Sequence, residues 1–156
     1  MEWKDLNWAL LRELRGRFLH PAAGDYWKSE TELAHYDTAF APRIAAKWEA
    51  VVREVAEALK SQGPLHFLDW GCGTGVATRV LFDHLGTQVE RVSLWDRSAL
   101  ARRFAQKKWD GTAVVVENLS APEQVEGPHW VVASHVWNEL EGEDQEKFLG
   151  TLGEAS

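Results

Sequence analysis

The sequence predicts a protein of the α/β class, with a parallel sheet that carries helices on both faces. Three observations support this class. After Pro64, short apolar or β-branched runs alternate with segments of helical periodicity. The first three runs end beside acidic or amide side chains, and a turn with three glycines joins the first run to its helix. Strands that alternate with helices of about ten residues form right-handed βαβ units, which build parallel sheets.

Residues 1–62 are predicted to form a helical region. One face of a first helix is made of apolar residues three or four positions apart, namely Trp3, Leu6, Leu10 and Leu14. Glycine and proline then indicate a break, at Gly16, Pro21 and Gly24. Ser29 stands three residues before Glu32, the spacing of a capping box, so a second helix is expected to begin there. Pro42 fits the first turn of a further helix.

Residues 63–156 are predicted to form the sheet core. Strand-like runs lie at 65–70, 91–95, 113–116 and 130–136. Helices are expected at 76–85, from Ser98 to about Trp109, and at 143–152. A chain of 156 residues is long enough for one domain with a hydrophobic core.

Composition excludes several functional classes. The chain is 45% hydrophobic and 26% charged, as in ordinary soluble domains, and no stretch has the roughly 18 apolar residues of a membrane span. The single cysteine, Cys72, excludes an internal disulfide and a cysteine-built metal site, and we expect no metal and a reducing, cytoplasmic location.

Charge argues against broad nucleic-acid binding, because the formal net charge is −7. A local basic patch is still compatible with this value. The densest basic run consists of Arg97, Arg102, Arg103, Lys107 and Lys108. It could meet RNA phosphates, or it could be the solvated face of a helix.

The turn Gly71-Cys72-Gly73-Thr74-Gly75 lies between the first strand and its helix. Such a loop lets a ligand approach the backbone and directs N–H groups at an electronegative atom. A dinucleotide site would have the spacing G-x-G-x-x-G, but Val76 stands where the third glycine would be. The loop therefore favours another nucleotide-like ligand, with a tight turn that binds nothing as the alternative.

The stretch FLDWGCGTG resembles motif I of the class I S-adenosylmethionine-dependent methyltransferases, in which an acid and one further residue precede G-x-G-x-G. Asp69, Gly71, Gly73 and Gly75 match that pattern. The resemblance implies a Rossmann-like sheet with strand order 3-2-1-4, and S-adenosylmethionine as cofactor. It places the loop, with Cys72, against the methionyl and ribose parts of the cofactor.

The resemblance extends to the ends of the next two strands. Asp96, with Arg97 beside it, takes the place of the acid that binds the ribose hydroxyls; alone, Asp96 could be a helix N-cap. Asn118 and Leu119 take the place of the residues that hold the adenine, although an asparagine after a strand is often a turn residue. Tyr36 and Arg43 flank the entry to a further predicted helix, and Arg43 could reach the cofactor's carboxylate or could be a surface residue.

The stretch WVVASHVWNEL corresponds to the fourth-strand motif, where Ser134 would lie beside the cofactor. It lacks the N-P-P-Y of methyltransferases that act on adenine amino groups. It is similar to the SHxxNEL stretch of the methyltransferase-like family associated with the small ribosomal subunit. His135 could serve as the base, and Asn138 and Glu139 could orient an acceptor amine. Alternatively, these residues only form local hydrogen bonds.

These features predict an S-adenosylmethionine-dependent methyltransferase that acts on RNA of the small ribosomal subunit. A non-catalytic cofactor-binding module of ribosome assembly, or a small-molecule methyltransferase, is the alternative. The full class I fold has seven strands, and this sequence supplies about four, so we expect a truncated sheet. The fourth strand would then be an edge, and we expect self-association through residues 130–136.

Overall fold

A computed structural model describes residues 1–19, 26–127, 129–137, 140 and 142–154. Helices and strands alternate after a helical N-terminal part. The helices are α1 (Trp8–Leu19), α2 (Glu30–Lys60), α3 (Val76–Leu85), α4 (Ala99–Lys107) and α5 (Glu143–Glu154). The strands are β1 (Leu65–Trp70), β2 (Val89–Trp95), β3 (Val115–Asn118) and β4 (Trp130–Val132). Short 3₁₀ turns lie at Trp3–Asp5, Gly86–Gln88 and Pro122–Gln124.

The four strands form one parallel sheet in the order β3-β2-β1-β4. This arrangement confirms the predicted α/β class and the predicted strand order. In the register of the sheet, Trp70 pairs with Trp95, and Asp69 pairs with Leu94 on one side and Val132 on the other. The carboxyl ends of β1, β2 and β4 therefore meet at one edge, where ligands bind in open parallel sheets.

The first helix begins later than the spacing of Trp3, Leu6, Leu10 and Leu14 predicted. The Asn7 side chain accepts a hydrogen bond from the Leu10 N–H at 3.1 Å, as an N-cap does, so α1 starts at Trp8. Trp3 is exposed, and Leu11 and Leu14 form the buried face.

The predicted break at Gly16 is wrong, because α1 continues through Gly16 to Leu19. A helix tolerates an interior glycine at a cost of about 1 kcal/mol. Pro21 and Gly24, the other two predicted breakers, lie outside the described residues.

Helix α2 is one continuous helix of 31 residues. Ser29 caps it as predicted, since its hydroxyl accepts the Glu32 N–H at 3.2 Å. The expectation that Pro42 begins a new helix is wrong, because Pro42 lies in the interior of α2. Leu33 before Pro42 and Val52 after it are both fully buried, so packing on either side holds the helix together across the proline.

The fourth strand is shorter than predicted, ending at Val132 rather than Val136. His135 has a φ of 60°, in the left-handed region, which is incompatible with an extended strand. The third strand runs over Val115–Asn118 instead of 113–116, and α4 ends at Lys107, short of Trp109.

Successive strand residues point to opposite faces of the sheet, and each face has its own core. On one face, Phe67 and Val92 pack with Val52 and Leu59 of α2 and with α3. The helical N-terminal part and the sheet thus share one core across the boundary predicted at residues 62 and 63. On the other face, Trp70 packs with Phe148 of α5. Within the described residues, no helix has the length and apolar character to cross a membrane.

Candidate functional site

The glycine loop between β1 and α3 has a left-handed backbone conformation at its three glycines. Gly71, Gly73 and Gly75 have φ values of 72°, 50° and 74°, which side-chain-bearing residues rarely adopt. The N–H groups of Gly71 and Cys72 both donate to the Trp95 carbonyl at 2.8 Å. These two bonds fasten the loop to the carboxyl end of β2.

The three glycines meet different surroundings. A Cβ on Gly71 would lie 2.6 Å from Cγ2 of Val136, and a Cβ on Gly75 would lie 3.1 Å from the Ala105 Cβ. Gly71 thus allows the segment after β4 to approach, and Gly75 allows α4 to approach. A Cβ on Gly73 would meet nothing within 4 Å. The space over Gly73 is therefore open to a ligand.

A cavity of about 270 Å³ lies over this loop at the carboxyl edge of the sheet. Its volume is near the lower end of the range for small-molecule sites, about 300–1,000 Å³. The cavity brings together many of the residues predicted for the site, namely Gly71, Cys72, Gly73, Asp96, Arg97, Ser134 and His135.

Asp96 joins the end of β2 to the glycine loop. Its carboxylate accepts the Gly73 N–H at 2.9 Å and the Ser98 N–H at 2.8 Å, while the residue as a whole is only 4% exposed. A carboxylate can accept about four hydrogen bonds, and it suits a vicinal diol because it offers two acceptor atoms side by side. Asp96 is therefore held rigidly at the wall of the cavity.

Asp69 lies beneath the loop and is not among the residues that line the cavity. It is 1% exposed and accepts the Thr78 hydroxyl at 2.7 Å. Burial raises the pKa of Asp69 to about 7, the charge of Asp96 adds to the rise, and the Thr78 hydrogen bond opposes it. The contact with Thr78 ties β1 to α3.

Cys72 is buried in the same loop. Burial raises the pKa of its thiol well above the usual value, and the nearby Asp96 and Asp69 charges act in the same direction. The raised pKa keeps Cys72 in the thiol form, and the thiolate is the reactive form. Cys72 therefore lines the cavity as an unreactive side chain.

The two residues predicted to hold adenine lie away from the cavity. The Asn118 amide donates to the Gln106 side chain, and Leu119 is buried with Leu68 and Trp70. Neither residue lines the cavity, and Gly75 does not line it either. Arg43, expected near the cofactor's carboxylate, is exposed and is also absent from the cavity wall.

The segment after β4 brings Ser134 and His135 to the cavity, where α2 contacts both. The Trp48 indole N–H donates to the Ser134 hydroxyl at 2.9 Å, and Lys47 Nζ lies 3.4 Å from His135 Nε2. Burial, and secondarily the Lys47 charge, lower the pKa of His135 below its ordinary value. Asn138 and Glu139, the other two predicted catalytic residues, lie outside the described residues.

Aromatic residues from the N-terminal part form a wall that the sequence interpretation missed. Phe18, Tyr26, Trp27 and Tyr36 line the cavity and pack mainly edge to face, with ring centroids 4.7–5.8 Å apart. These side chains lie far in sequence from the glycine loop. The abundance of tryptophan and tyrosine before residue 40 was the only local signal for them.

Most of the basic run is engaged within the chain. The Arg102 guanidinium donates to the Asp96 carbonyl, Lys107 pairs with Glu30 at 2.7 Å, and Lys108 pairs with Asp37 at 2.6 Å. The run therefore helps to hold α4 against α2. Among the described residues, no group of three or more His, Cys, Asp and Glu side chains could hold a metal ion.

No protein-family model matches this chain, and no curated protein matches it significantly. The interpretation of the site therefore rests on its own geometry and on the motifs that the sequence carries.

Proposed function

We propose that this protein is an S-adenosylmethionine-dependent methyltransferase. The observation that carries the proposal is the open space over Gly73, whose N–H is held by Asp96 at the wall of the same cavity. A nucleoside ligand needs a backbone that it can approach and a carboxylate for its ribose hydroxyls. The loop and Asp96 supply these two features side by side.

The residues present fit this cofactor. A side chain at position 73 would occupy the open space over Gly73. The cavity is lined by both carboxylate and aromatic side chains. Aromatic faces attract cations, so the wall formed by Phe18, Tyr26, Trp27 and Tyr36 suits a ligand with a sulfonium centre.

The cofactor, when bound, supplies an electrophilic methyl group. An acceptor that took this methyl group from the sulfonium would give up its own proton to a base of this chain. We propose His135 as this base, because it lines the cavity and its pKa is lowered below the ordinary value, which favours the neutral imidazole. Positioning of the acceptor contributes the rest of the rate enhancement.

RNA of the small ribosomal subunit is the acceptor that we propose, on the resemblance of residues 130–140 to the family associated with that subunit. This assignment goes with a cytoplasmic location. A small-molecule acceptor is the second candidate. The intramolecular bonds of the basic run favour this candidate. Arg102, Lys107 and Lys108 already bond to other residues of the chain, so they are less available to RNA phosphates. A non-catalytic cofactor-binding module of ribosome assembly remains the outcome if binding occurs without transfer.

The proposal is tested first by calorimetric titration with S-adenosylmethionine. Gly73→Leu places a side chain in the open space, and we expect a more than tenfold loss of affinity in a folded protein. Gly111→Leu is the matched control, because Gly111 has a φ of 80° and open surroundings and does not line the cavity. Unchanged affinity in a folded Gly73→Leu variant would refute the proposed site.

The acceptor is tested by transfer of a labelled methyl group. Incorporation into RNA of isolated small subunits supports the RNA assignment, and turnover of small-molecule extracts without RNA supports the second candidate. Cofactor binding with no transfer to either favours the assembly module.

A further inference from the structure

Helix α2 reaches the segment after β4 with two consecutive residues. Trp48 donates its indole N–H to the Ser134 hydroxyl at 2.9 Å, and the Nζ of Lys47 lies 3.4 Å from the Nε2 of His135. These contacts join residues more than 80 positions apart in the chain. The two contacts are neighbours, because Lys47 precedes Trp48 on the helix and Ser134 precedes His135 on the segment after β4.

The backbone at His135 needs such support. Its φ is 60°, and among the described residues it is the one non-glycine residue with a positive φ. A left-handed conformation costs a side-chain-bearing residue roughly 1–2 kcal/mol, and it persists when surrounding contacts enforce it. The hydrogen bond from Trp48 to Ser134 acts on the residue immediately before the strained one.

The contact with Lys47 also favours one tautomer of the imidazole. An ammonium group has only donors, so the His135 Nε2 facing it acts as an acceptor and the ring proton lies on Nδ1. The separation of 3.4 Å exceeds the usual 2.7–3.2 Å, so an incoming N–H or O–H can replace this weak contact. The other charged groups at the cavity wall are Asp96 and Arg97 after β2 and Asp144 of α5.

We propose that Lys47 and Trp48 are positioning residues of the active site, which hold His135 as a neutral base with its Nε2 lone pair available to the acceptor. This inference rests on the proposed function for its catalytic consequence. The arrangement of Lys47, Trp48, Ser134 and His135 can be tested without any activity.

The Lys47 contact is tested by NMR titration of the His135 ring in the ligand-free protein, with His135→Gln used to assign its signals. Removal of the positive charge in Lys47→Met is expected to raise the pKa of His135 by about 0.7 pH unit, since a unit charge at about 4 Å in water is worth about 1 kcal/mol and one pKa unit corresponds to about 1.4 kcal/mol. Lys47→Arg keeps the charge and is expected to leave the pKa unchanged. An unaltered pKa in Lys47→Met would overturn the role of Lys47.

The Trp48 contact is tested with Trp48→Phe, which keeps an aromatic ring and removes the N–H donor. We expect the kcat of methyl transfer to fall about tenfold while the affinity for S-adenosylmethionine stays the same, because the base moves and the glycine loop does not. Trp8→Phe is the matched control, since Trp8 is exposed and does not line the cavity. An unchanged kcat in Trp48→Phe would overturn the role of Trp48.

The pH profile of methyl transfer connects the NMR measurement with the kinetic one. In Lys47→Met, the acid limb of kcat/KM, which reports the free enzyme, should move to higher pH by the same amount as the His135 pKa measured by NMR. If the wild-type protein transfers no methyl group, the proposed function fails, and the NMR titration still decides whether Lys47 keeps His135 neutral. A shift in the NMR pKa without a matching shift in the acid limb would overturn His135 as the base.

Discussion

Asp69 and Asp96 stand at the ends of neighbouring strands, but their surroundings give them opposite properties. Asp96 accepts two backbone N–H groups at the cavity wall, as an ionised carboxylate does well. Asp69 is fully enclosed and accepts one hydroxyl, that of Thr78. The two acids of the predicted site therefore differ in their surroundings: Asp96 lines the cavity, and Asp69 links β1 to α3.

The buried Asp69 makes stability depend on pH. Its pKa is about 7 in the folded protein and near 4 in the unfolded chain, so between these values only the folded state binds the proton. The contribution of Asp69 to the free energy of unfolding therefore falls as pH rises from about 4 to about 7, and is constant above. Asp69→Asn, which does not titrate, should gain stability relative to wild type by a few kcal/mol over that range.

Urea unfolding of both proteins at pH 4.5, 6 and 8 measures this difference. Thr78→Val is the companion variant. It removes the hydrogen bond that favours ionised Asp69, so the pKa of Asp69 should rise further and stability should continue to fall above pH 7. A difference between Asp69→Asn and wild type that stays flat from pH 4.5 to 8 would show that Asp69 is ionised throughout.

At the scale of elements, α2 contains a proline where a helix loses a hydrogen bond. Pro42 has no N–H to donate to the carbonyl of Thr38, and an interior proline costs a helix about 3 kcal/mol relative to alanine. Pro42 is exposed, so its ring contributes little to the core. Pro42→Ala is expected to raise the free energy of unfolding by about 1–3 kcal/mol.

Chemical denaturation checks this expectation, with Pro64→Ala as the control. Pro64 is exposed and lies in the turn before β1, outside any helix, so its loss should cost only about 0.5–1 kcal/mol through the entropy of the unfolded chain. Destabilisation by Pro42→Ala would mean that α2 packs in a bend that only proline supports.

Prediction from the sequence succeeded where the signal was local. β1 and α3 were predicted with their observed bounds, because a glycine turn separates a short apolar run from a helical pattern. Periodicity alone failed at Trp3, where the Asn7 cap sets the start of α1. The fourth strand was predicted too long, because its apolar composition carries no sign of the left-handed backbone at His135.

The residues of the candidate site were likewise predictable only where the signal was local. The residues of the glycine loop and Asp96 were predicted from motifs that lie within a short stretch of chain. The aromatic wall and the contacts of Lys47 and Trp48 come from packing between distant segments, for which one sequence gives no pattern. Asn118 was predicted from the resemblance, after a strand expected to end at residue 116. It is instead the last residue of β3, and its amide donates to Gln106 of α4.

At the scale of the whole molecule, the sheet presents β3 and β4 as its two edges. Within the described residues, β4 pairs only with β1, so its other edge meets no further strand. Trp130 at the start of β4 is 46% exposed. An exposed edge with a large apolar side chain is a template for pairing with another chain.

Self-association through residues 130–136 therefore stays our expectation, and light scattering at micromolar concentration measures it. Trp130→Lys adds a charge to the edge and should shift the protein towards monomer. Trp8→Lys is the matched control, because Trp8 is 49% exposed but lies on α1, and it should leave the association unchanged. A wild-type protein that is monomeric at this concentration would contradict the expectation.

The continuity of α2 determines how the proposed activity should be lost on heating. The helix is about 46 Å long, at 1.5 Å per residue. Tyr36 near its start belongs to the aromatic wall, Lys47 and Trp48 at its middle meet the segment after β4, and Leu59 near its end lies in the core beside β1. A single helix thus contributes both to the wall of the cavity and to the core under the sheet. Thermal inactivation and thermal melting should consequently coincide, with no temperature interval in which a folded but inactive protein accumulates.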